Sequence, residues 1–248
     1  MRPFNARSVV LSVLLGMRPP ELPAAALVRL GVLFGISEGT VRTALSRMAA
    51  AGELTGNADG YRLAGRQLER KAAQDAGRRA PPAGWDGTWV TVLVTTPRRE
   101  STARRAFRTH MANLRMGELR PDTWLRPANL ADTDIVGTDE AGVAVVRGPL
   151  AGDRADALAR RLWPLGRIAA DAATLDRRLH DALPINPDDT AALPTNFTLA
   201  AEVVRFLRAE PLLPPELCPD DWPPDVLRAT YRDFDRAFGA ALAHAVTA

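Results

Sequence analysis

The chain has 248 residues, of which 46% are hydrophobic and 25% charged, a composition that predicts a folded protein of two or three domains and excludes extensive disorder. The sequence contains no run of about 18 apolar residues, so we expect neither a membrane span nor a signal peptide. The single cysteine, Cys218, cannot form an internal disulfide, and the paired-cysteine spacing of a zinc site is missing. We therefore expect a cytoplasmic protein that holds no metal.

Charge is unevenly divided along the chain. Residues 1–80 carry 12 Lys+Arg against 6 Asp+Glu, a balance of +6, whereas residues 81–248 carry 20 against 23, a balance of −3. A basic N-terminal segment joined to a mildly acidic remainder predicts that a polyanion binds at the N-terminal segment.

Two helices are predicted before residue 35. Asn5 is placed to cap a helix over residues 6–15, whose apolar side chains are dense enough for burial. A proline-rich connection follows, and residues 24–34 predict the second helix, with Gly35 making a tight turn.

The segment from Gly35 to Gly52 predicts the turn and recognition helix of a helix-turn-helix. Ser37 is the expected N-cap, and Gly52 is the expected C-terminal stop. Apolar residues at helical spacing form one narrow stripe that should face the protein, namely Val41, Ala44, Leu45 and Met48. The opposite arc is small, hydroxylated or cationic and consists of Gly39, Thr40, Arg42, Thr43, Ser46 and Arg47.

This arc suits the major groove of DNA, because arginine can bridge guanine or bind phosphate while serine and threonine add little bulk. The predicted groove contacts are Arg42, Thr43, Ser46 and Arg47. Ser37 and Thr40 are expected to hold phosphate near the helix N-terminus. An ordinary amphipathic helix with a solvated polar face is the alternative interpretation.

Residues 53–55 and 61–63 predict two short strands, joined by a turn rich in Gly, Asn and Asp. A hairpin directly behind a recognition helix is typical of the wing of a winged helix, although a plain surface turn has the same pattern. Arg62 is its only basic residue and completes the predicted DNA-binding set. Asp59 would repel phosphate, so we expect a weak contact between this hairpin and the DNA backbone.

The rest of the chain predicts further helices and strands. A connecting helix over residues 67–79 is followed by a domain boundary near residues 80–84. The next elements are a strand at 89–95, a helix at 101–114, strands at 123–126 and 143–147, and a helix at 153–162. The last helices are expected at 168–179, 196–209 and 225–246, with six prolines in residues 211–224 forming an irregular connector between the final two.

The predicted fold class is α+β, with three domains. A winged helix-turn-helix with its connecting helix occupies residues 1–80. A ferredoxin-like domain occupies residues 85–165, and a helical C-terminal domain occupies residues 166–248.

Three segments give the chain a resemblance to a known family. These are residues 6–8 leading into residues 34–48, the segment Trp85–Trp89, and the proline-rich segment Pro211–Trp222. In this order and spacing the chain resembles the PaaX family of bacterial transcriptional repressors over nearly its whole length. The resemblance implies a middle domain similar to the small CRISPR-associated nucleases and a homodimer that binds an inverted repeat. For the best-known members it implies repression of phenylacetate catabolism, relieved by phenylacetyl-coenzyme A.

The chain departs from the family pattern in two places. Its hairpin is short and nearly uncharged, which puts wing contacts to DNA in doubt. Thr95 and Thr96 stand where similar nuclease domains place an acidic residue at the end of their first strand, so nuclease chemistry is not expected.

An enzyme is the second class of function to consider. The histidines His110, His180 and His244 are widely separated in the sequence and lie in no recognisable catalytic motif. A solvated, salt-bridged helix face explains the acidic and basic residues Asp171, Asp176, Arg177, Arg178 and Asp181. We expect a non-enzymatic regulator with no catalytic residue. A nucleic-acid-processing enzyme and an effector-independent DNA-binding adaptor are the alternatives.

The sequence does not identify an effector site. No cofactor is expected apart from a suspected acyl-coenzyme A effector. The arginines that could meet its phosphates are Arg98, Arg99, Arg104, Arg105 and Arg108. Trp124 and Trp163 could be walls of an acyl pocket. A solvated surface is the alternative for all of them.

Overall fold

The fold is taken from a computed structural model that describes residues 5–57, 59–82, 84–96, 100–130, 142–150 and 154–247. Its helices are α1 (Ala6–Gly16), α2 (Ala24–Leu33), α3 (Glu38–Ala50), α4 (Arg66–Gly77), α5 (Ser101–Asn113), α6 (Ala155–Leu162), α7 (Leu165–Asp181), α8 (Leu193–Ala209) and α9 (Pro223–Thr247). Its strands are β1 (Glu21–Leu22), β2 (Leu54–Asn57), β3 (Gly60–Leu63), β4 (Thr88–Val94), β5 (Gly117–Arg120), β6 (Thr123–Pro127) and β7 (Val143–Pro149). The predicted α+β fold class is confirmed.

The chain divides into two compact units. The first unit contains residues 1–76, 175–205 and 229–248, and the second contains residues 77–174 and 206–228. The C-terminal helices are shared between the units, so the three-domain boundaries inferred from the sequence stay a prediction.

The N-terminal part of the first unit has three helices followed by a hairpin. Strands β2 and β3 pair as the expected hairpin, which we call the wing, and β1 adds a third antiparallel strand along β3. The apolar faces of these elements form one core, made of Ala6, Val10, Leu11, Leu14, Leu15, Leu27, Val28, Val41, Leu45, Met48, Leu54 and Leu63. The sequence did not predict β1, because two residues beside prolines show no strand periodicity.

Caps and turns set the limits of the helices. Asn5 Oδ1 accepts a hydrogen bond from the Ser8 amide at 2.8 Å, as expected of the N-cap of α1. Gly35 follows α2 with φ of +75°, in the left-handed region, and lets the chain turn sharply into α3. These local signals explain why the first three helices could be placed from the sequence.

Helices α2 and α3 approach closely at Gly31. A Cβ atom on Gly31 would lie 2.3 Å from Cγ2 of Val41, a side chain that is fully buried. Gly39 lies on α3 with open space beside it. The packing of α3 against α2 therefore depends on the missing side chain of residue 31.

We expect Gly31→Ala to destabilise the protein, because overpacking a closed contact costs about 1–3 kcal/mol and outweighs the roughly 1 kcal/mol that alanine gains over glycine in a helix. The matched control Gly39→Ala has no such contact and should be neutral or stabilising. Urea unfolding of both variants measures the difference. If the two variants had the same free energy of unfolding, the Val41 side chain would have moved aside at no cost, which would contradict the prediction.

The second unit is built on a four-stranded sheet. Its strand order is β5-β6-β4-β7, and each neighbouring pair is antiparallel, which is the strand order of a ferredoxin-like sheet. Strand β5 was not predicted, because Gly117–Arg120 is short, polar and at the sheet edge. On one face, Val90, Val92 and Trp124 pack with Met111 of α5.

The other face of the sheet carries a second core, in which Trp89 and Leu125 meet α6 and the proline-rich connector. The buried members from α6 onward are Leu158, Ala159, Trp163, Leu165, Leu213, Leu217 and Trp222. The segments Trp85–Trp89 and Pro211–Trp222, which carry part of the family resemblance, therefore both contribute residues to this core. The connector is not wholly irregular, since Pro215–Leu217 forms a 3-10 turn and Pro223 starts α9, where no amide is needed.

A buried ionic cluster lies in the second unit. Arg228 is ion-paired with Glu210, and both side chains are 1% exposed. Arg228 also donates to the Gly77 carbonyl at 3.2 Å and to Asp225 Oδ1 at 2.7 Å. Arg115 donates to the carbonyls of Leu207, at 3.2 Å, and Glu210.

Burial lowers the pKa of Arg115 to about 10, so its guanidinium remains charged at neutral pH. Burial also raises the pKa of Glu210 above its ordinary value, although Arg228 and Arg115 attract its carboxylate. The cluster thus depends on each charge being partnered, because an isolated buried charge is very unfavourable.

We expect Arg228→Met to lower the free energy of unfolding by about 3–5 kcal/mol, because it leaves Glu210 buried without its main partner. The double variant Arg228→Met/Glu210→Met should lose less than the single variant. Arg236→Met is the control, since Arg236 is exposed and its ion pair is with Asp233, which is also exposed. A single variant no less stable than this control would contradict the prediction.

The helices of the C-terminal region that belong to the first unit make local polar and aromatic contacts. Arg178 of α7 is ion-paired with Glu202 of α8. The rings of Phe34 and Phe197 meet edge to face with centroids 4.8 Å apart. Among the described residues, no helix has both the length and the apolarity needed to cross a bilayer.

Candidate DNA-binding surface

The two faces of α3 are separated as the sequence predicted. Val41, Leu45 and Met48 are each at most 2% exposed and belong to the core of the first unit. The opposite arc is exposed along its whole length, and we call it the recognition arc, consisting of Gly39, Thr40, Arg42, Thr43, Ser46 and Arg47. The fold therefore leaves these side chains accessible to a partner.

The N-terminus of α3 is capped by its own side chains. Ser37 Oγ accepts from the Thr40 amide at 3.4 Å and lies 2.8 Å from Thr40 Oγ1. Both residues are exposed, so they can also meet a phosphate at the positive end of the helix. Glu38, whose carboxylate the sequence analysis did not include, is exposed beside them and would repel that phosphate.

The two arginines of the arc differ in their surroundings. Arg42 lies 3.8 Å from the Glu38 carboxylate, an exposed pair one helical turn apart that is worth little energy. Arg47 has no ion pair with any residue that the structure describes. Ser46 donates to the Arg42 carbonyl at 3.2 Å, so its hydroxyl is left mainly as an acceptor.

Arg62 is exposed on β3 of the wing, but its charge is partnered. Its Nε donates to Glu21 Oε2 at 2.7 Å, and Glu21 belongs to the unpredicted strand β1. The Asn57 side chain accepts from the amides of Asp59 and Gly60 and ties the hairpin turn. To contact DNA, the Arg62 guanidinium must therefore either break its ion pair with Glu21 or bind Glu21 and a phosphate at the same time.

Arg7 is a candidate DNA-binding residue that the sequence analysis missed. It extends from the first turn of α1 into a groove of about 440 Å³ beside α3, which is lined by Arg7, Gly39, Thr40, Thr43, Ala44, Arg47 and Met48. Arg7 Nε donates to Glu53 Oε2 at 2.9 Å, and this bond holds the pKa of Glu53 below its ordinary value. Only the packing of α1 on α3 brings Arg7 there, so no local sequence signal identifies it.

The residues considered for catalysis do not come together. His180 lies beside Asp176 on α7, with 3.5 Å between Nδ1 and Oδ2. His244 lies beside Asp188, with 3.1 Å between Nε2 and Oδ1. Burial raises the pKa of the Cys218 thiol to about 12, so this cysteine stays protonated at neutral pH. In the ranges that the structure covers, no group of three or more His, Cys, Asp or Glu residues could hold a metal ion.

The residues considered for an effector are dispersed. Trp124 and Trp163 belong to the cores on opposite faces of the sheet, so they cannot be walls of one pocket. Alternation along β6 directs Trp124 to the α5 face, whereas Trp163 follows α6, which packs on the other face. Arg98 and Arg99 lie outside the described residues. Arg104, Arg105 and Arg108 line a groove in the second unit.

Comparisons with known proteins agree with this architecture. A family model described as PaaX-like protein matches residues 5–67, and one described as the PaaX protein central Cas2-like domain matches residues 82–144. The solved structure of uncharacterized protein Rv0674 from Mycobacterium tuberculosis is 40% identical, with a TM-score of 0.76, and the alignment covers 97% of this chain and 98% of that chain. A comparison with curated proteins gave no match.

The first family match covers α1 to the start of α4, where the recognition arc lies, and the second covers the sheet up to the start of β7. Together the two matches span about half of the chain, and the similarity to the mycobacterial protein spans nearly all of it. The chain therefore belongs to the PaaX family.

Proposed function

We propose that the protein is a DNA-binding transcriptional regulator whose recognition arc enters the major groove. The observation that carries the proposal is the exposed arc of α3 within a segment that matches the PaaX-like family model. Its hydroxyls and guanidinium groups can reach base edges and phosphates, as a recognition helix requires. The basic balance of residues 1–80 adds a general attraction to the DNA backbone.

The regulator we propose is a homodimeric repressor. Two copies of α3 related by a two-fold axis would read an inverted repeat whose half-sites lie about one helical turn apart. Family membership supports a role in phenylacetate catabolism.

Release from DNA would come from an acyl-coenzyme A-type effector such as phenylacetyl-coenzyme A. Such an effector acts only if it binds the DNA-free geometry of the dimer more tightly than the DNA-bound geometry. The effector thus need not touch the recognition arc. The factor by which the effector weakens DNA binding is set by the ratio of its affinities for the DNA-free and the DNA-bound geometry of the dimer.

Regulation is favoured over nucleic-acid cleavage. Strand β4 is followed by Thr95 and Thr96, which supply no carboxylate for a metal, and the Thr95 hydroxyl donates to the Gly142 carbonyl at 2.7 Å. A direct test is incubation of the purified protein with DNA or RNA and a divalent metal. If cleavage of DNA or RNA copurifies with the protein, the protein is an enzyme and the proposed regulator function is wrong.

The decisive experiment is selection of bound sequences from random duplex DNA, followed by shift assays on the enriched site. We expect an inverted repeat and binding that weakens steeply with salt. Failure to enrich any sequence would contradict the proposed function.

We expect Arg47→Ala or Arg42→Ala to weaken binding to the enriched site by about 1–3 kcal/mol and to relax the sequence preference at one position. Arg47 should have the larger effect, because Glu38 already competes for Arg42. Arg236→Ala on α9 is the control for loss of one exposed arginine of the first unit. If shift assays give unchanged affinity and unchanged sequence preference, Arg42 and Arg47 do not contact the major groove.

Substitutions of Arg7 and of Glu53 should change the affinity for DNA in opposite directions. Arg7→Gln should weaken DNA binding and lower the salt-dependence slope by about 1, because one phosphate contact is lost. Glu53→Gln should strengthen binding, because Arg7 no longer has a carboxylate competing with phosphate. Binding measured across a salt series tests both.

The exposed pair Arg236 and Asp233 supplies matched controls, Arg236→Gln and Asp233→Asn. If Glu53→Gln weakens binding as much as Arg7→Gln does, the Arg7–Glu53 pair is structural and not a phosphate contact.

A further inference from the structure

A groove of about 450 Å³ lies in the second unit between α5 and the hairpin of β5 and β6. Its α5 side is formed by Ser101, Arg104, Arg105 and Arg108, and its hairpin side includes Trp124. The volume is in the range of small-molecule binding sites, which is about 300–1,000 Å³. Neither family match nor the proposed DNA surface assigns a role to this groove.

The basic side of the groove is one helix face. Residues 101, 104, 105 and 108 follow the i, i+3, i+4, i+7 spacing, so their side chains lie together on α5. Arg108 is neutralised by Glu118, with 2.8 Å between Nη2 and Oε1. Arg104 and Arg105 are exposed and form no ion pair within the part of the chain that the structure describes. No described carboxylate therefore competes with a ligand for these two guanidinium groups.

The apolar side of the groove is aromatic. Trp124 is 7% exposed and packs with Val90, Val92 and Met111, which fix its ring, and Phe107 of α5 is half-buried beside the same core. An aromatic side next to two guanidinium groups that form no ion pair with a described residue suits a ligand with an anionic part and a planar or apolar part.

We propose that this groove is a binding site for a small phosphorylated ligand of the nucleotide class. Arg104 and Arg105 would hold its phosphates, since arginine forms paired hydrogen bonds to phosphate oxygens. Trp124 and Phe107 would contact its planar group. Whether this ligand is also the effector that releases DNA rests on the proposed function, whereas the existence of the site does not.

The carboxylates on the groove favour a small ligand over nucleic acid. Glu118 and Asp122 both line its hairpin side. A duplex backbone would bring several phosphates near the groove at once, whereas the Arg108 charge is already partnered by Glu118 and only Arg104 and Arg105 lack a described carboxylate partner. A ligand with two phosphates can place them on Arg104 and Arg105 alone.

Isothermal titration with ADP and with inorganic pyrophosphate tests the site. We expect saturable binding of ADP, weaker binding of pyrophosphate because it has no planar group, and at least about a tenfold loss of ADP affinity in Arg104→Gln/Arg105→Gln. The control Arg160→Gln/Arg161→Gln removes two exposed arginines of α6 in the same unit and should bind ADP like the unchanged protein.

Each contrary result overturns a stated part of the proposal. The site is wrong if neither probe binds, or if the control loses as much affinity as the Arg104/Arg105 variant. The aromatic contact is wrong if ADP binds no more tightly than pyrophosphate. A DNA shift assay on the same variant gives the remaining alternative, because weakened DNA binding without any ligand would assign these arginines to nucleic acid.

The same proteins separate failure of the site from failure of the proposed function. If the unchanged protein binds no DNA sequence but binds ADP through Arg104 and Arg105, the site stands and the proposed function fails. If phenylacetyl-coenzyme A releases DNA equally from the unchanged protein and the double variant, the effector acts elsewhere. Release lost only in the double variant supports the groove as the effector site.

Discussion

The buried pair of Arg228 and Glu210 is the constraint on which the second unit depends. Arg228 donates to the carbonyl of Gly77, the last residue of α4, and binds Glu210, which directly follows α8. Arg115 donates to the same region through the carbonyls of Leu207 and Glu210. One buried cluster therefore fixes the ends of α4 and α8 and the first turns of α9. Since a buried charge without a partner is so unfavourable, the loss of any one of these contacts should weaken the others.

The recognition arc depends on a different constraint, the absence of a side chain at Gly31. Close packing of α2 against Val41 turns the polar arc of α3 outward. Around that arc, Arg7, Arg42 and Arg62 each have a carboxylate neighbour from another part of the fold or the previous helical turn. Such neighbours would lower the general attraction of this surface to any polyanion, so a DNA phosphate would displace a carboxylate only where the geometry of the phosphate is better. In the proposed regulator this arrangement would favour specific over non-specific DNA binding.

Local signals explain how much the sequence could predict. Caps, glycines and helical spacing lie close together in the chain, so α1, α2, α3 and the wing could be placed without the structure. Strands β1 and β5 could not, because each is stabilised by its partner strand and not by its own pattern. The position of Arg7 depends on the packing of α1 against α3. The sequence could not show that Trp124 and Trp163 lie in cores on opposite faces of the sheet, because this depends on how β6 and α6 pack.

The proposed DNA surface and the proposed ligand groove can coexist in one chain, because screening limits the distance over which each charge acts. At physiological salt a charge is screened within about 8 Å, so Arg104 and Arg105 can attract a small phosphorylated ligand although residues 81–248 carry a balance of −3. A DNA duplex spans many such lengths and meets the summed charge of the surface that it covers. A duplex would therefore be drawn most strongly to the basic N-terminal segment, residues 1–80. The proposed groove needs no such summed charge, because two neighbouring guanidinium groups are enough to hold one small phosphorylated ligand.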